Sequence, residues 1–172
     1  MNSIRILDYL PEHKHSFEML NRTWIEKFFE MEPSDIEVLT MPDQYLIAKG
    51  GAILMAEYDG TIAGTVALKK VDEKTFEFTK MAVDENFRRK GIAEQLSYAS
   101  FLKAKQLGAE NVILYSNSIL KGAILLYEKL GFVHQPVIDS AYKRSDVKME
   151  IGIDEAVQKA KQFFNLSENI SI

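Results

Sequence analysis

Asp59-Gly60 stands between AILMAEY and TIAGTVALKKV, two runs that are apolar at most positions. A two-residue Asp-Gly link takes positive φ at both positions, which matches the twist of a tight antiparallel hairpin. It also fixes the register of the two runs, and register decides which side chains share a face. A further run, TFEFTKMAV, follows after a polar turn at Asp72 to Lys74. The centre of the chain is therefore an antiparallel meander, and the other elements must be placed around it.

Ser3 to Tyr9 alternates loosely and reads as a first strand. A helix is predicted from about Pro11, with Phe17, Leu20, Trp24 and Phe28 on one face. Pro33 is expected to stop it. Ser34 with Glu37 fits a capping box opening a short second helix, which Pro42 closes. Beyond the meander, Gly91 to Leu107 reads as a helix with Ile92, Leu96, Ala99 and Leu102 aligned, ended by Gly108 in left-handed conformation. NVILYS is a buried-type strand, ILKGAILLYEKL a helix closed by Gly131, and FVHQPV and DVKMEIGI two closing strands. Asp154 to Phe164 reads as an extra C-terminal helix with Ile153, Val157, Ala160 and Phe164 on one side. The helix between TFEFTKMAV and NVILYS permits those strands to run parallel, because a parallel pair needs a crossover. The pattern implies an α/β (α+β) fold with one mixed sheet flanked by helices.

The 172 residues suit one domain, and 47% hydrophobic with 27% charged residues can fill a core and remain in solution. A net charge of -4 and a pI of about 5.5 argue against a nucleic-acid partner. The absence of cysteine excludes disulfides, thiolate metal sites and a cysteine nucleophile. His13 and His15 would point to different faces of a helix and His134 is isolated, so no metal is expected. The opening MNSIRILDYLPEHKHSF has charges and a proline where a signal peptide needs an unbroken apolar stretch, and no apolar run reaches the ~20 residues of a membrane span. The expectation is a cytoplasmic protein with no membrane partner.

FRRKGIAEQL, Phe87 to Leu96, concentrates Arg88, Arg89 and Lys90 beside Gly91, where a helix is due to begin. A helix N-terminus offers free amides and partial positive charge, and added cations there repel one another unless an anion is held. Gly91 leaves the amides accessible and Ala93 keeps the first turn small, a physical recipe for phosphate or pyrophosphate. Neither the nucleotide-hydrolase phosphate loop nor a dinucleotide G-x-G-x-x-G is present. Taken alone, the stretch equally fits a solvated basic loop leading into a helix.

Three segments in order add to this. RRKGIA fits the pattern Q/R-x-x-G-x-G/A, TFEFTKMAV lies just upstream, and NSILKGAILLYEKLGF follows with A-x-x-L-Y-E-K-x-G-F. Together they resemble the GNAT superfamily of acyl-CoA-dependent N-acyltransferases, clearly from about Thr61 to Phe132 and less distinctly from the N-terminus to about Ile151. The resemblance implies a mostly antiparallel sheet of about seven strands. It frames residues 1–152 as the acetyltransferase domain and 153–172 as a C-terminal helical extension of it. It further implies acetyl-CoA as acyl donor, although a longer acyl group is not excluded, and a small-molecule or peptide amine as acceptor. A homodimer through the C-terminal helix is left open.

Residue by residue, the resemblance places the backbone of Met81, Ala82 and Val83 against the pantetheine arm. The stretch Arg88, Arg89, Lys90, Gly91, Ile92, Ala93 and Glu94 falls around the pyrophosphate, and Tyr127 on the acid that protonates the leaving thiolate. Read from its helix alone, Tyr127 is a core-edge tyrosine. Glu77 falls on a carboxylate that deprotonates the amine, often through water; read from its strand alone, it is a solvent-facing glutamate. Many relatives carry Asn where this chain has Leu120, so Asn117 is taken to contact the arm instead, with Ala123 beside it. Direct attack in a ternary complex is the implied route, against the alternative of a non-catalytic acyl-CoA sensor. Glu30, Glu32, Asp35 and Glu37 either favour a cationic amine or form an acidic, solvated helix end.

Overall fold

A computed structural model describes residues 3–138, 140 and 142–166. The hairpin forms as its Asp-Gly link requires: Asp59 and Gly60 take φ of 47° and 87°. They join β2 (Ala52–Tyr58) to β3 (Thr61–Lys70), which pairs with β4 (Thr75–Val83). With β1 (Ile4–Asp8), β5 (Asn111–Ser116), β6 (Val133–Gln135) and β7 (Val147–Gly152) these make one seven-stranded sheet, ordered β1-β2-β3-β4-β5-β7-β6. Every neighbouring pair is antiparallel except β4 with β5.

Helices cover both faces. On one side lie α1 (Lys14–Phe28) and α2 (Pro33–Thr40), over a core of Phe17, Ile25, Leu39, Ile53 and Met55. On the other lie α3 (Ile92–Gln106), α4 (Lys121–Leu130) and α5 (Ile153–Phe163), over a larger core that includes Leu54, Val66, Phe76, Phe78 and Phe101. Because β2 and β3 are buried on both faces, they read as continuous apolar runs. Burying each large side chain fully contributes about 1.5–3 kcal/mol. α5 inserts Ile153, Ala156 and Ala160 into the larger core, and its Phe163 stacks on Tyr98 of α3 at 4.5 Å.

Three local expectations change. The buried stripe of α1 is Phe17, Asn21 and Ile25, whereas Phe28 is 47% exposed. Asn21 lies in that stripe; its Nδ2 bonds the Phe17 carbonyl and its Oδ1 takes the Trp24 indole N–H, so it is satisfied where it is buried. Pro33 does not stop α1, which ends at Phe28; it opens α2 as the first helical residue. The cap of α2 is Glu32 with Asp35, whose Oδ2 accepts the Glu32 backbone N–H at 2.9 Å, in place of Ser34 with Glu37.

Two features set the position of α3. A Cβ at Gly64 of β3 would lie 3.0 Å from both Ile92 and Leu96, so glycine there allows the helix to sit close to the sheet. In β4, Lys80 and Met81 together oppose Val66, a bulge with Lys80 at φ 53°. The extra residue shifts the alternation: Met81 and Val83 pack on the same core as Phe76 and Phe78, while Lys80 turns towards α2.

Candidate active site

β4 and β5 pair over just Thr75↔Asn111, Phe76↔Val112 and Glu77↔Ile113. From Phe78 onward the strands diverge and, among the described residues, the β5-facing edge of β4 has no strand partner, leaving main-chain donors and acceptors open. A cavity of 460 Å³ fills the divergence. Its walls include Met81, Ala82 and Val83 on β4, Tyr115 to Asn117 at the end of β5, and Leu120, Ala123 and Tyr127 at α4.

One end of the cavity meets α3. Gly91 caps that helix at φ 81°, and Arg89 before it is also left-handed at φ 61°. A Cβ at Gly91 would meet nothing within 4 Å, so this glycine answers to backbone conformation, and the space in front of it is open. The first-turn amides have no intrahelical acceptor; the first such bond runs from Gln95 N–H to the Gly91 carbonyl. Arg88, Arg89, Gly91, Ile92, Ala93 and Glu94 all border the cavity. Lys90 is not in its wall; its ammonium lies over the Tyr58 ring at 5.1 Å. The Glu94 carboxylate, which would oppose an anion, is paired with Lys129 at 2.6 Å.

Tyr127 packs edge-on against Phe78 and Phe132. Among the described residues its hydroxyl makes no hydrogen bond, and burial pushes the phenol up to about 12. Asn117 is more committed: its Nδ2 donates to the Arg144 carbonyl at 2.6 Å and its Oδ1 accepts from Ile119 N–H at 2.9 Å.

The opposite end is built from residues that the sequence did not single out, together with Asp35. Asp35 is fully buried, and both its oxygens are used twice. Oδ1 accepts from Lys80 Nζ at 2.6 Å and Arg144 Nη2 at 2.8 Å; Oδ2 accepts from Arg144 Nη1 at 2.7 Å and from Glu32 N–H. Burial alone would raise its pKa; the bonds from Arg144 and Lys80 outweigh that and hold it well below the usual carboxylate range. Glu32 also accepts from Arg144 and from the Lys143 N–H. Asp35 and Glu32 are therefore bound to the chain's own cations, and the reading of this cluster as a solvated helix end is corrected for both. Arg144 lies over Tyr142 at 4.8 Å and near Trp24 and Phe29, all of which line the cavity.

Glu77 is not solvent-facing; it is 4% exposed. Nor does it border the cavity. Tyr142 stands between, its hydroxyl donating to Glu77 Oε2 at 3.2 Å and lying 3.4 Å from the Thr79 hydroxyl. Desolvation raises the Glu77 pKa, and Lys69 and Lys80 partly counter it. The one sequence signal for this end was a lysine inside an otherwise apolar strand terminus; Tyr142 and Arg144 sit in a segment with no periodicity.

Among the described residues no group of three His, Cys, Asp or Glu could hold a metal, and no helix is long and apolar enough to cross a membrane.

Comparison with known proteins adds a lineage to this geometry. The profile described as "Acetyltransferase (GNAT) family" matches residues 17–132, more than half of the chain. N-acetylaspartate synthetase of Homo sapiens is 32% identical over 119 residues, which is 69% of this chain and 38% of that protein. N-acetyltransferase 8 of Mus musculus is 27% identical over 116 residues, 64% of this chain and 49% of that protein. The chain thus spans less than half the length of either relative. Among solved structures, a GNAT-family acetyltransferase of Staphylococcus aureus Mu50 superimposes with a TM-score of 0.78 at 18% identity, covering 88% of this chain and 99% of that one. A GNAT acetyltransferase of Elizabethkingia anophelis with acetyl-CoA bound gives a TM-score of 0.59 at 21% identity, covering 87% and 97%. These neighbours share the fold. On the extent of the profile match and the fold together, the chain belongs to the GNAT acetyltransferase family.

Proposed function

We propose that this protein moves an acetyl group from acetyl-CoA to an amine by direct attack within a ternary complex. The observation that carries the reading is the wedge between β4 and β5, which exposes an unpaired strand edge and ends on the free amides of α3. A pantetheine arm carries amides of its own, so in the wedge it bonds the backbone of Met81 to Val83 as an added strand. A main-chain N–H from that stretch polarises the thioester carbonyl where negative charge develops. The diphosphate rests on the amides from Gly91 to Glu94, assisted by Arg88 and Arg89, while Lys90 adds field from beside Tyr58. Asn117 and Ala123 border the arm.

The attacking amine occupies the end of the cavity beneath Tyr142 and Arg144. Its nitrogen forms a bond to the carbonyl carbon, the C–S bond breaks, and Tyr127 gives its proton to the departing sulfur. A phenol held near 12 is protonated at neutral pH and has that proton to give. The acceptor is a small-molecule or peptide amine. The name of the human relative, N-acetylaspartate synthetase, makes aspartate one compound to include in an acceptor panel.

Calorimetric titration with coenzyme A and acetyl-CoA, followed by thiol release across a panel of amines, tests the proposal. Binding of both and turnover with at least one amine are expected. Tyr127→Phe keeps both ring contacts, so it should lower kcat by about 100-fold or more with coenzyme A affinity unchanged. No heat with either thioester or thiol overturns the reading. Binding without turnover makes the chain an acyl-CoA sensor instead.

A further inference from the structure

Glu77 is the one carboxylate on β4, yet it does not border the cavity, so an amine in the wedge does not touch it. Tyr142 touches both spaces: it stands in the cavity wall and its hydroxyl donates to Glu77 Oε2. A phenol oxygen has one proton to donate and lone pairs to accept with. With the proton committed to Glu77, the oxygen can accept from an incoming N–H, beside or in place of the Thr79 hydroxyl 3.4 Å away. Resting on the acetyl-transfer reading above, we infer that Tyr142 is a catalytic residue that receives the amine's proton and relays it to Glu77.

The balance is as follows. The acceptor enters as an ammonium ion, with a pKa near ~10.4 if it is lysine-like. One N–H proton passes to Tyr142 Oη as the Tyr142 proton passes to Glu77 Oε2, leaving a neutral amine and a neutral glutamic acid. The amine lone pair closes the C–N bond and the C–S bond breaks. The sulfur takes the Tyr127 proton, which the second amine proton replaces. Glu77 then returns its proton through Tyr142 to solvent. The tyrosine is never left as a free anion, which its burial and the neighbouring Glu77 charge would disfavour.

The surroundings hold this pair in register. Tyr142 is fixed by Arg144 stacked at 4.8 Å, itself clamped to Asp35, and by Lys80 Nζ over the ring at 4.7 Å. Around Glu77 stand Lys69 across from it on β3, Thr79 and Lys80 on β4, Ile113 on β5, and Tyr142 between β6 and β7, with Asp35 from α2 and its partner Arg144 beyond Lys80. The cations favour the ionised form needed to accept, while burial favours the protonated form once the proton has arrived.

The experiment compares wild type, Tyr142→Phe, Glu77→Gln and the double variant, reading kcat, kcat/KM against pH, coenzyme A affinity and melting temperature with the best acceptor from the panel. Phenylalanine preserves the ring under Lys80 and Arg144. A relay predicts that each single variant loses about 100-fold in kcat at unchanged coenzyme A affinity. It also predicts that the acidic limb of the wild-type profile disappears in both, and that the double variant is within threefold of the singles. A purely structural Tyr142 would lower the melting temperature and leave the limb in place. If Tyr142→Phe does not fold, Glu77→Gln carries the test alone, since a residue outside the cavity must still erase the limb. Retention of wild-type kcat and limb in either variant, or multiplicative losses in the double, overturns the relay while leaving acetyl transfer intact. Absence of turnover with every amine overturns both.

Discussion

Gly91 holds φ at 81° with nothing packed where its Cβ would be. Alanine there meets no neighbour but must adopt a left-handed backbone, which costs about 1–2 kcal/mol. Relief of that strain turns the α3 amides out of line. Gly91→Ala is therefore expected to lower the melting temperature by a few degrees and to weaken coenzyme A binding disproportionately, at least tenfold by calorimetry. A loss of stability with unchanged affinity would mean that the first turn of α3 is not where the diphosphate sits. The places of Gly91, Arg88 and Tyr127 at the cavity were legible in the sequence, because the turn into α3 and the α4 stretch that carry them are local patterns. Lys80, Tyr142 and Arg144 were not, because their meaning comes from a partner 45 to 109 positions away. The alternation of TFEFTKMAV also broke silently: nothing in those letters announces a bulge at Lys80, so the phase of its last residues could not be read.

At the scale of elements, α2 is tied to the segment before β7 through the buried Asp35 carboxylate, with its cap Glu32 assisting. Removing Asp35 takes the paired carboxylate from Lys80 and leaves Arg144 with Glu32 alone, and breaking a buried pair from one side costs about 3–5 kcal/mol. Asp35→Ala is expected to lose stability of that order in urea unfolding and to release Tyr142 from its place. The pH dependence follows from the sign of the shift. Asp35 has a folded pKa below its unfolded value near ~3.9, so its contribution is complete above that value and is lost as pH falls through it towards the folded pKa. Unfolding midpoints of the wild type should drop across that acid window, and Asp35→Asn should flatten the drop. The strands, the order of elements and the helices over α3 to α5 were readable from periodicity and turn residues. The rotation of α1 was not. Asn21 looks polar, and only the bonds it finds make it core; the Leu20, Trp24, Phe28 face that appeared to be core borders cavities instead.

At the scale of the molecule, the sheet is four strands and three, joined along β4 and β5 by three residue pairs. Each group of strands has its own antiparallel ladder, so the seam between them is a thin hydrogen-bonded link, no longer than that of the short edge strand β6 on β7. A ligand lying in the wedge touches both halves at once and acts as a keystone. Its binding should therefore stiffen the joint more than either half: amide hydrogen exchange should slow most at Phe78 to Val83 and Tyr115 to Asn117 when coenzyme A is added, and least in β1 and β2. The protein's cohesion and its occupancy are in this sense linked, because an empty molecule carries a short seam through its middle.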